Sequence, residues 1–224
     1  MLLKRRIFRL RVKLSVLKAN LKKLESKFKT LSKKSKPFGR LVIISAPSGG
    51  GKTTIVSRLL AKKTHFKRSI SYTTRQPRKG ERHGRDYNFV TKADFLRRRR
   101  QGFFLEWANV FGQYYGTART TCLKLMRAGF DVILAIDVQG MRKIKRLSGK
   151  SMPMVSVFLM PPSMAVLKKR LLGRQSDSAA EIKKRLQTAR AELTCRRFYD
   201  YVVINNTIQQ CVKDVSKILG VSPE

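Results

Sequence analysis

The stretch Ser45-Ala46-Pro47-Ser48-Gly49-Gly50-Gly51-Lys52-Thr53-Thr54 restricts what this chain can fold into more than any other feature. It follows an apolar run, Leu41-Val42-Ile43-Ile44, and precedes Ile55-Val56-Ser57-Arg58-Leu59-Leu60, which has helical spacing. Strand, glycine-rich turn, Lys-Thr and helix together spell a phosphate-binding loop. Glycines let backbone N–H groups close around anionic oxygens, and the following helix N-terminus adds unsatisfied donors and partial positive charge. Lys52 is positioned to reach β- and γ-phosphates, and the Thr53 hydroxyl to reach Mg²⁺. The pattern departs from G-x-x-x-x-G-K-[ST] at its first position, where Ala46 replaces glycine.

Such a loop needs a sheet to carry it, and the rest of the chain supplies one. Apolar runs at 41–44, 132–136, 154–159 and 201–204 alternate with helical patterns at about 53–63, 118–128, 138–147, 163–173, 179–196 and 208–219. That alternation predicts an α/β fold with a parallel sheet flanked by helices. Residues 69–117 break the rhythm: they are rich in Arg, Tyr, Thr and Gly, and their apolar runs are short. They read as an insertion with a small mixed sheet above the C-terminal strand ends, where α/β proteins bind ligands.

Charge sets the N-terminal segment apart. The 224 residues hold 51 Lys+Arg against 13 Asp+Glu, a formal net charge of +38. Residues 1–36 contain 14 basic residues and a single acid, Glu25. Within them Ile7, Leu10, Leu14, Leu17, Leu21, Leu24, Phe28 and Leu31 recur at spacings of three and four. The pattern fits a solvated basic helix, a helix folded back on the domain, a membrane-surface helix, a homotypic helix contact or an organelle transit peptide. Residues 33–39 read as a linker interrupted by Pro37 and Gly39. A surface this basic attracts polyanions and acidic lipid non-specifically through the tail, which does not establish a specific nucleic-acid function. Cys122, Cys195 and Cys211 are odd in number and lack metal spacing, so they read as reduced thiols. His65 and His83 lack nearby ligand partners.

A second anion-binding pattern lies in the insertion. Arg75 and Arg78 stand three residues apart on a turn near Gly80, with tyrosines at 87, 114 and 115. Fixed guanidinium forks and phenol hydroxyls suit a phosphate dianion. A carboxylate such as Glu106 suits a base edge carrying adjacent N–H donors, as guanine does.

At this point the sequence resembles the guanylate kinase family over about residues 40–219. The resemblance rests on Ser-Ala-Pro-Ser-Gly-Gly-Gly-Lys-Thr (45–53), Thr-Thr-Arg-Gln-Pro-Arg (73–78), Gly-Glu-Arg-His-Gly-Arg-Asp-Tyr-Asn-Phe (80–89), Phe-Leu-Glu-Trp-Ala (104–108), Tyr-Tyr-Gly-Thr (114–117) and Ile-Asp-Val-Gln-Gly (136–140). Pro-Pro-Ser (161–163), Lys-Lys-Arg-Leu-Leu-Gly-Arg (168–174) and Lys-Arg-Leu (184–186) continue it. It implies a P-loop NTPase-type parallel sheet with a small mixed α/β GMP-binding insertion and a helical lid. The domain would span 38–220, with core segments 38–68, 121–164 and 190–220, a GMP-binding segment at 69–120 and a lid at 165–189. The implied reaction is ATP + GMP to ADP + GDP, with Mg²⁺ accompanying ATP, in the cytoplasm, or in an organelle if 1–36 is a transit peptide.

The resemblance also implies roles. Ala46, Pro47, Ser48, Gly49, Gly50, Gly51, Lys52, Thr53 and Thr54 would cradle ATP, and Asn205 would lie near its adenine. Arg75, Arg78, Tyr87 and Tyr115 would hold the GMP phosphate. Ser71, Glu106 and Thr117 would read guanine, and Asp137 would stand beside GMP. Arg170, Arg174 and Arg185 would close over the transferring phosphoryl group. The chain departs from the family at Ala135, where a carboxylate is frequent, at Gln175 in the lid, and at Asn206-Thr207 after the last strand. A non-catalytic interaction module of the same fold typically loses the loop lysine or the GMP arginines. This chain keeps both.

Overall fold

The computed structural model describes residues 37–61, 65–148, 152–173 and 179–221, together with Lys22. The leucine seam and basic tail of residues 1–36 therefore lie outside the described residues, Lys22 excepted, as does Arg174. The chain divides into two compact units, Met1–Pro37 and Phe38–Glu224. The second unit carries two sheets and the helices around them.

Its central sheet has five parallel strands: β1 (Leu41–Ser45), β2 (Phe66–Arg68), β7 (Asp131–Ala135), β8 (Met154–Met160) and β9 (Tyr201–Ile204). Their order across the sheet is β2-β7-β1-β8-β9. Helices cover both faces, so β1 is buried along its whole length. This is why it reads as an unbroken apolar run instead of an alternating one. Val42 and Ile44 pack with Ile55, Val56 and Leu59 of α1 (Lys52–Ala61) and Cys211, Val212 and Val215 of α7 (Ile208–Leu219). Leu41 and Ile43 point the other way, toward Cys122 and Met126 of α3 (Arg119–Arg127) and Met141 and Ile144 of α4 (Val138–Ser148). A third, smaller cluster joins α5 (Met164–Leu172) to α6 (Ala179–Thr194) through Leu167, Leu171, Ile182 and Ala189.

The insertion forms a second sheet of β3 (Tyr72–Thr73), β4 (Asn88–Phe89), β5 (Phe104–Val110) and β6 (Gln113–Ala118), in the order β4-β3-β6-β5. It is mixed, as expected: β3 runs parallel to β4, while β6 is antiparallel to β3 and β5.

Three features differ from the expectations of the sequence. The edge strand β2 is an addition, hidden because Phe66 is its only buried residue. Helix α2 (Lys92–Arg100) is another. Its Arg97–Arg100 run conceals the periodicity, and Phe95 alone is buried, stacked 4.4 Å from Phe104 and 5.4 Å from Tyr114. Thr91 caps it by accepting from the Asp94 N–H. Finally, Gly39 belongs to the domain and not to a linker. It is buried, and its N–H donates to the Met126 carbonyl at 2.8 Å.

Candidate active site

A cavity of about 430 Å³ opens at the C-terminal end of β1, between the 45–54 loop, the insertion, the end of β7 and helix α6. This is where a sheet with its first strand in the centre leaves a crevice.

The loop owes its shape to glycines and to a buried side chain behind it. Gly49 and Gly51 adopt φ of +85° and +89°. A Cβ on Gly51 would also stand 2.4 Å from Asn205 Nδ2. That approach exists because Asn205, 3% exposed, lies against the loop and donates from Nδ2 to the Gly50 carbonyl at 2.9 Å. Its Nδ2 thus holds the loop, while its buried Oδ1 has no hydrogen-bond partner among the described residues. Lys52 donates to the Ile136 carbonyl at 3.2 Å. Its ammonium is enclosed, and burial lowers its pKa against the opposing fields of Asp137, Glu192 and Glu106. Thr53 and Thr54, in the exposed first turn of α1, line the same cavity, and that turn holds no acid.

Among the described residues no group of three His, Cys, Asp or Glu could hold a metal by itself. A divalent cation here would need phosphate oxygens and water alongside the Thr53 hydroxyl, which is how Mg²⁺ is usually held with nucleotides.

The insertion contributes side chains where the loop contributes backbone. Arg75, Arg78, Tyr87, Tyr115, Ser71 and Glu106 all line the cavity. Arg75 donates from Nη2 to both Glu81 oxygens at 2.9 Å and from Nη1 to the Gln76 carbonyl at 2.6 Å. Its guanidinium lies 5.5 Å from the Tyr87 ring centroid. Glu81 also accepts the Arg78 N–H at 2.8 Å, so one carboxylate sets both arginines.

Glu106 is 5% exposed, and its Oε1 accepts the Thr117 hydroxyl at 2.6 Å. Burial pushes its carboxyl up to about 7; the Thr117 bond lowers it, Asp137 raises it, and Lys143 and Lys52 lower it. Helix α4 approaches so closely that a Cβ at Gly140 would meet Glu106 Oε2 at 2.6 Å, which accounts for glycine there. Thr117 is fully buried, stands outside the cavity wall and orients Glu106. Asp137 does face the cavity, yet its Oδ1 accepts the Gly140 N–H at 2.9 Å as the cap of α4. Ala135 lines the wall as well, so the departure from the family pattern falls inside the site.

Helix α6 closes the third side. Arg185 donates to the Ser48 hydroxyl at 3.0 Å and lies 5.4 Å from the ring of Phe111, at the β5–β6 turn. Arg170 is placed elsewhere: it is not on the cavity wall, and its Nη2 donates to the Asn205 carbonyl at 3.1 Å.

Three carboxylates at or behind the site, Glu81, Glu181 and Glu192, are not among the residues that the sequence singles out. Glu192 lines the cavity, accepts the Ser48 N–H, and is pushed up to about 7 by burial. The signal that could have found them is scarcity, since a chain with only 13 acids among 51 bases keeps few without a cation to position.

The guanylate kinase family profile matches residues 38–221. The chain belongs to the guanylate kinase family. A guanylate kinase from Wolbachia sp. subsp. Brugia malayi is 46% identical over 181 residues, covering 81% of this chain and 92% of that one. A guanylate kinase from Wolbachia pipientis wMel is 45% identical, covering 83% and 91%. Among solved structures, guanylate kinase from Anaplasma phagocytophilum superposes with a TM-score of 0.69 at 34% identity, covering 83% of this chain and 87% of that one. This guanylate kinase family member is thus a kinase on the α/β fold expected from its sequence, and no described helix is long and apolar enough to cross a membrane.

Proposed function

We propose that the chain transfers the γ-phosphoryl group of ATP to the 5′-phosphate of GMP, giving ADP and GDP. The observation that carries this reading is that one cavity is lined by two unlike cation sets: the glycine loop with Lys52, and Arg75 with Arg78. Between them stands Glu106, a buried carboxyl suited to the N1–H and N2–H₂ edge of guanine.

An oxygen of the GMP phosphate attacks the γ-phosphorus of ATP. The new O–P bond forms as the bond to the β-bridging oxygen breaks, and ADP leaves with that electron pair. The acceptor oxygen is already anionic near neutral pH, so no general base is required. Catalysis then consists of alignment and charge stabilisation. Lys52 and the loop N–H groups hold the donor phosphates, Arg75, Arg78, Tyr87 and Tyr115 hold the acceptor phosphate, and Arg185 follows the group in transit. Arg170 and Arg174 would join on closure of the 165–189 lid over the 69–120 segment, which excludes water. Bound with ATP through Thr53, Mg²⁺ supplies charge neutralisation on the phosphate oxygens.

With Ala135 in place of a carboxylate, Asp137 is the acid of this strand end that remains to orient water around the cation. We place the activity in GMP recycling in the cytoplasm, with the basic tail as a non-specific contact for polyanions or anionic membrane. The direct test is incubation with ATP, Mg²⁺ and GMP, with GDP and ADP resolved by chromatography. Equal amounts of the two support the reading. ADP without GDP, or neither product, overturns it.

A further inference from the structure

A second cavity, of about 390 Å³, lies beside the first and shares Glu106 in its wall. Side chains alternate along β5. Ala108 and Val110 line the first cavity, Leu105 and Trp107 the second, and at the register shift between Phe104 and Glu106 the alternation breaks, so that Phe104 also lines the second and Glu106 lines both. Four cations from three helices line this cavity with Trp107: Arg99 of α2, Arg119 of α3, and Lys143 and Arg146 of α4. Lys143 Nζ stands 4.0 Å from the indole centroid and donates to the Trp107 carbonyl, and the Arg99 guanidinium stands 4.7 Å from the same ring. Leu147, 59% exposed, forms an apolar rim.

None of these four cations is ion-paired to a carboxylate among the described residues. Asp94, the acid on α2, is committed to Arg97 and Arg98. Four like charges around one concavity repel each other, and the indole quadrupole and the single buried Glu106 carboxyl, in whose field Lys143 stands, offset only part of that. A multiply charged anion would offset the remainder. A concavity of this volume suits a compact ligand, because small-ligand sites start at roughly 300 Å³.

We propose that the cavity behind Trp107 is a second anion site, distinct from the phosphate loop, that takes a compact oligophosphate. Arg99, Arg119 and Arg146 would hold its oxygens by guanidinium forks, with Lys143 as a point charge at the shared wall.

Trp107 is the chain's single tryptophan, so its emission reports this cavity directly. The full chain is titrated with sodium tripolyphosphate at an ionic strength of about 0.15 M. A saturable change in emission is expected. Arg99→Glu/Arg146→Glu should raise the midpoint roughly tenfold or more, since two phosphate contacts are lost. Lys213→Glu/Lys217→Glu removes the same charge from exposed sites on α7, across the sheet, and should shift the midpoint by less than about twofold. Lys52→Met, which disables the phosphate loop, should likewise shift it by less than about twofold.

No saturable change overturns the proposal. Equal weakening in the two charge-reversed pairs also overturns it, because the anion then senses only the overall field. Loss of the signal in Lys52→Met overturns it too, by assigning the signal to the first cavity. If the glutamate pair does not fold by circular dichroism, Arg99→Gln/Arg146→Gln makes the same comparison, with an expected rise of roughly threefold. The readout does not depend on GMP or on turnover, so its failure is separable from failure of the proposed reaction.

Discussion

The two sides of the cavity are built by opposite means. On the loop side the donors are backbone groups, and one contiguous stretch, 45–54, encodes them. On the insertion side the groups are side chains held by neighbours: the Arg75 guanidinium by Glu81, and the Glu106 carboxyl, an acceptor, by the Thr117 hydroxyl, with Gly140 clearing the space. A backbone cradle fits any polyphosphate tail. A buried carboxylate fixed by a hydroxyl fits one base edge, and leaving it unmatched carries a desolvation cost. On the proposed reading the loop side is general and the insertion side selective, and substitutions can test that division.

The largest effect belongs to Lys52→Met. It should lower kcat about a thousandfold, equivalent to about 4 kcal/mol of transition-state stabilisation, and leave the melting temperature close to wild type. A coupled ADP-release assay showing a near-normal rate would remove Lys52 from the reaction.

Next, Glu106→Gln should raise the KM for GMP roughly a hundredfold while the KM for ATP moves by less than about twofold. Equal loss for both nucleotides would dissolve the general-versus-selective distinction. The same residue sets a pH dependence. Burial raises the Glu106 carboxyl to about 7, so below that pH it is mainly neutral and above it ionised. The neutral acid presents a proton where guanine also presents protons. KM for GMP should therefore fall as pH rises through about 7, and Glu106→Gln should flatten this component. Ionisation of the GMP phosphate is common to both proteins and cancels in the comparison. A profile unchanged by the substitution would show that Glu106 does not titrate on GMP binding.

Glu81→Gln should raise the KM for GMP about tenfold, because a neutral amide holds Arg75 and the Arg78 N–H less firmly than a carboxylate. Unaltered GMP kinetics would mean that Arg75 keeps its place without Glu81. The smallest effect is expected from Asn205→Ala. Losing its bond to the Gly50 carbonyl should cost about 1 kcal/mol and a few degrees of melting temperature. Its kinetic effect should appear in the KM for ATP more than for GMP. The reverse pattern would place Asn205 outside the loop's support.

These contrasts also explain what the sequence discloses. The loop, β1 and the helices around the sheet are legible because each is a local pattern: a contiguous motif, an unbroken apolar run, a 3.6-residue period. Helix α2 is not legible, since four successive arginines erase the period and a lone phenylalanine anchors it. Strand β2 is too short to carry an alternation, and it exists because β7 offers it an edge.

The site divides likewise. The arginines and Glu106 announce themselves through residue type and a family resemblance. The supporting roles of Glu81, Glu192 and Thr117 depend on which oxygen meets which N–H or O–H, which no local pattern records. Asn205 shows the limit most clearly. Its position on the chain suggests the ATP side of the cavity, but only its packing against Gly51 reveals that its Nδ2 holds the loop.

The most direct test of the central claim, that a general phosphate cradle faces a guanine-selective acceptor pocket, is kcat/KM for GMP against AMP with ATP and Mg²⁺ held saturating. The account predicts GMP ahead by roughly a hundredfold or more, because adenine would leave the Glu106 carboxylate without its paired donors. Comparable values for the two nucleotides would contradict it.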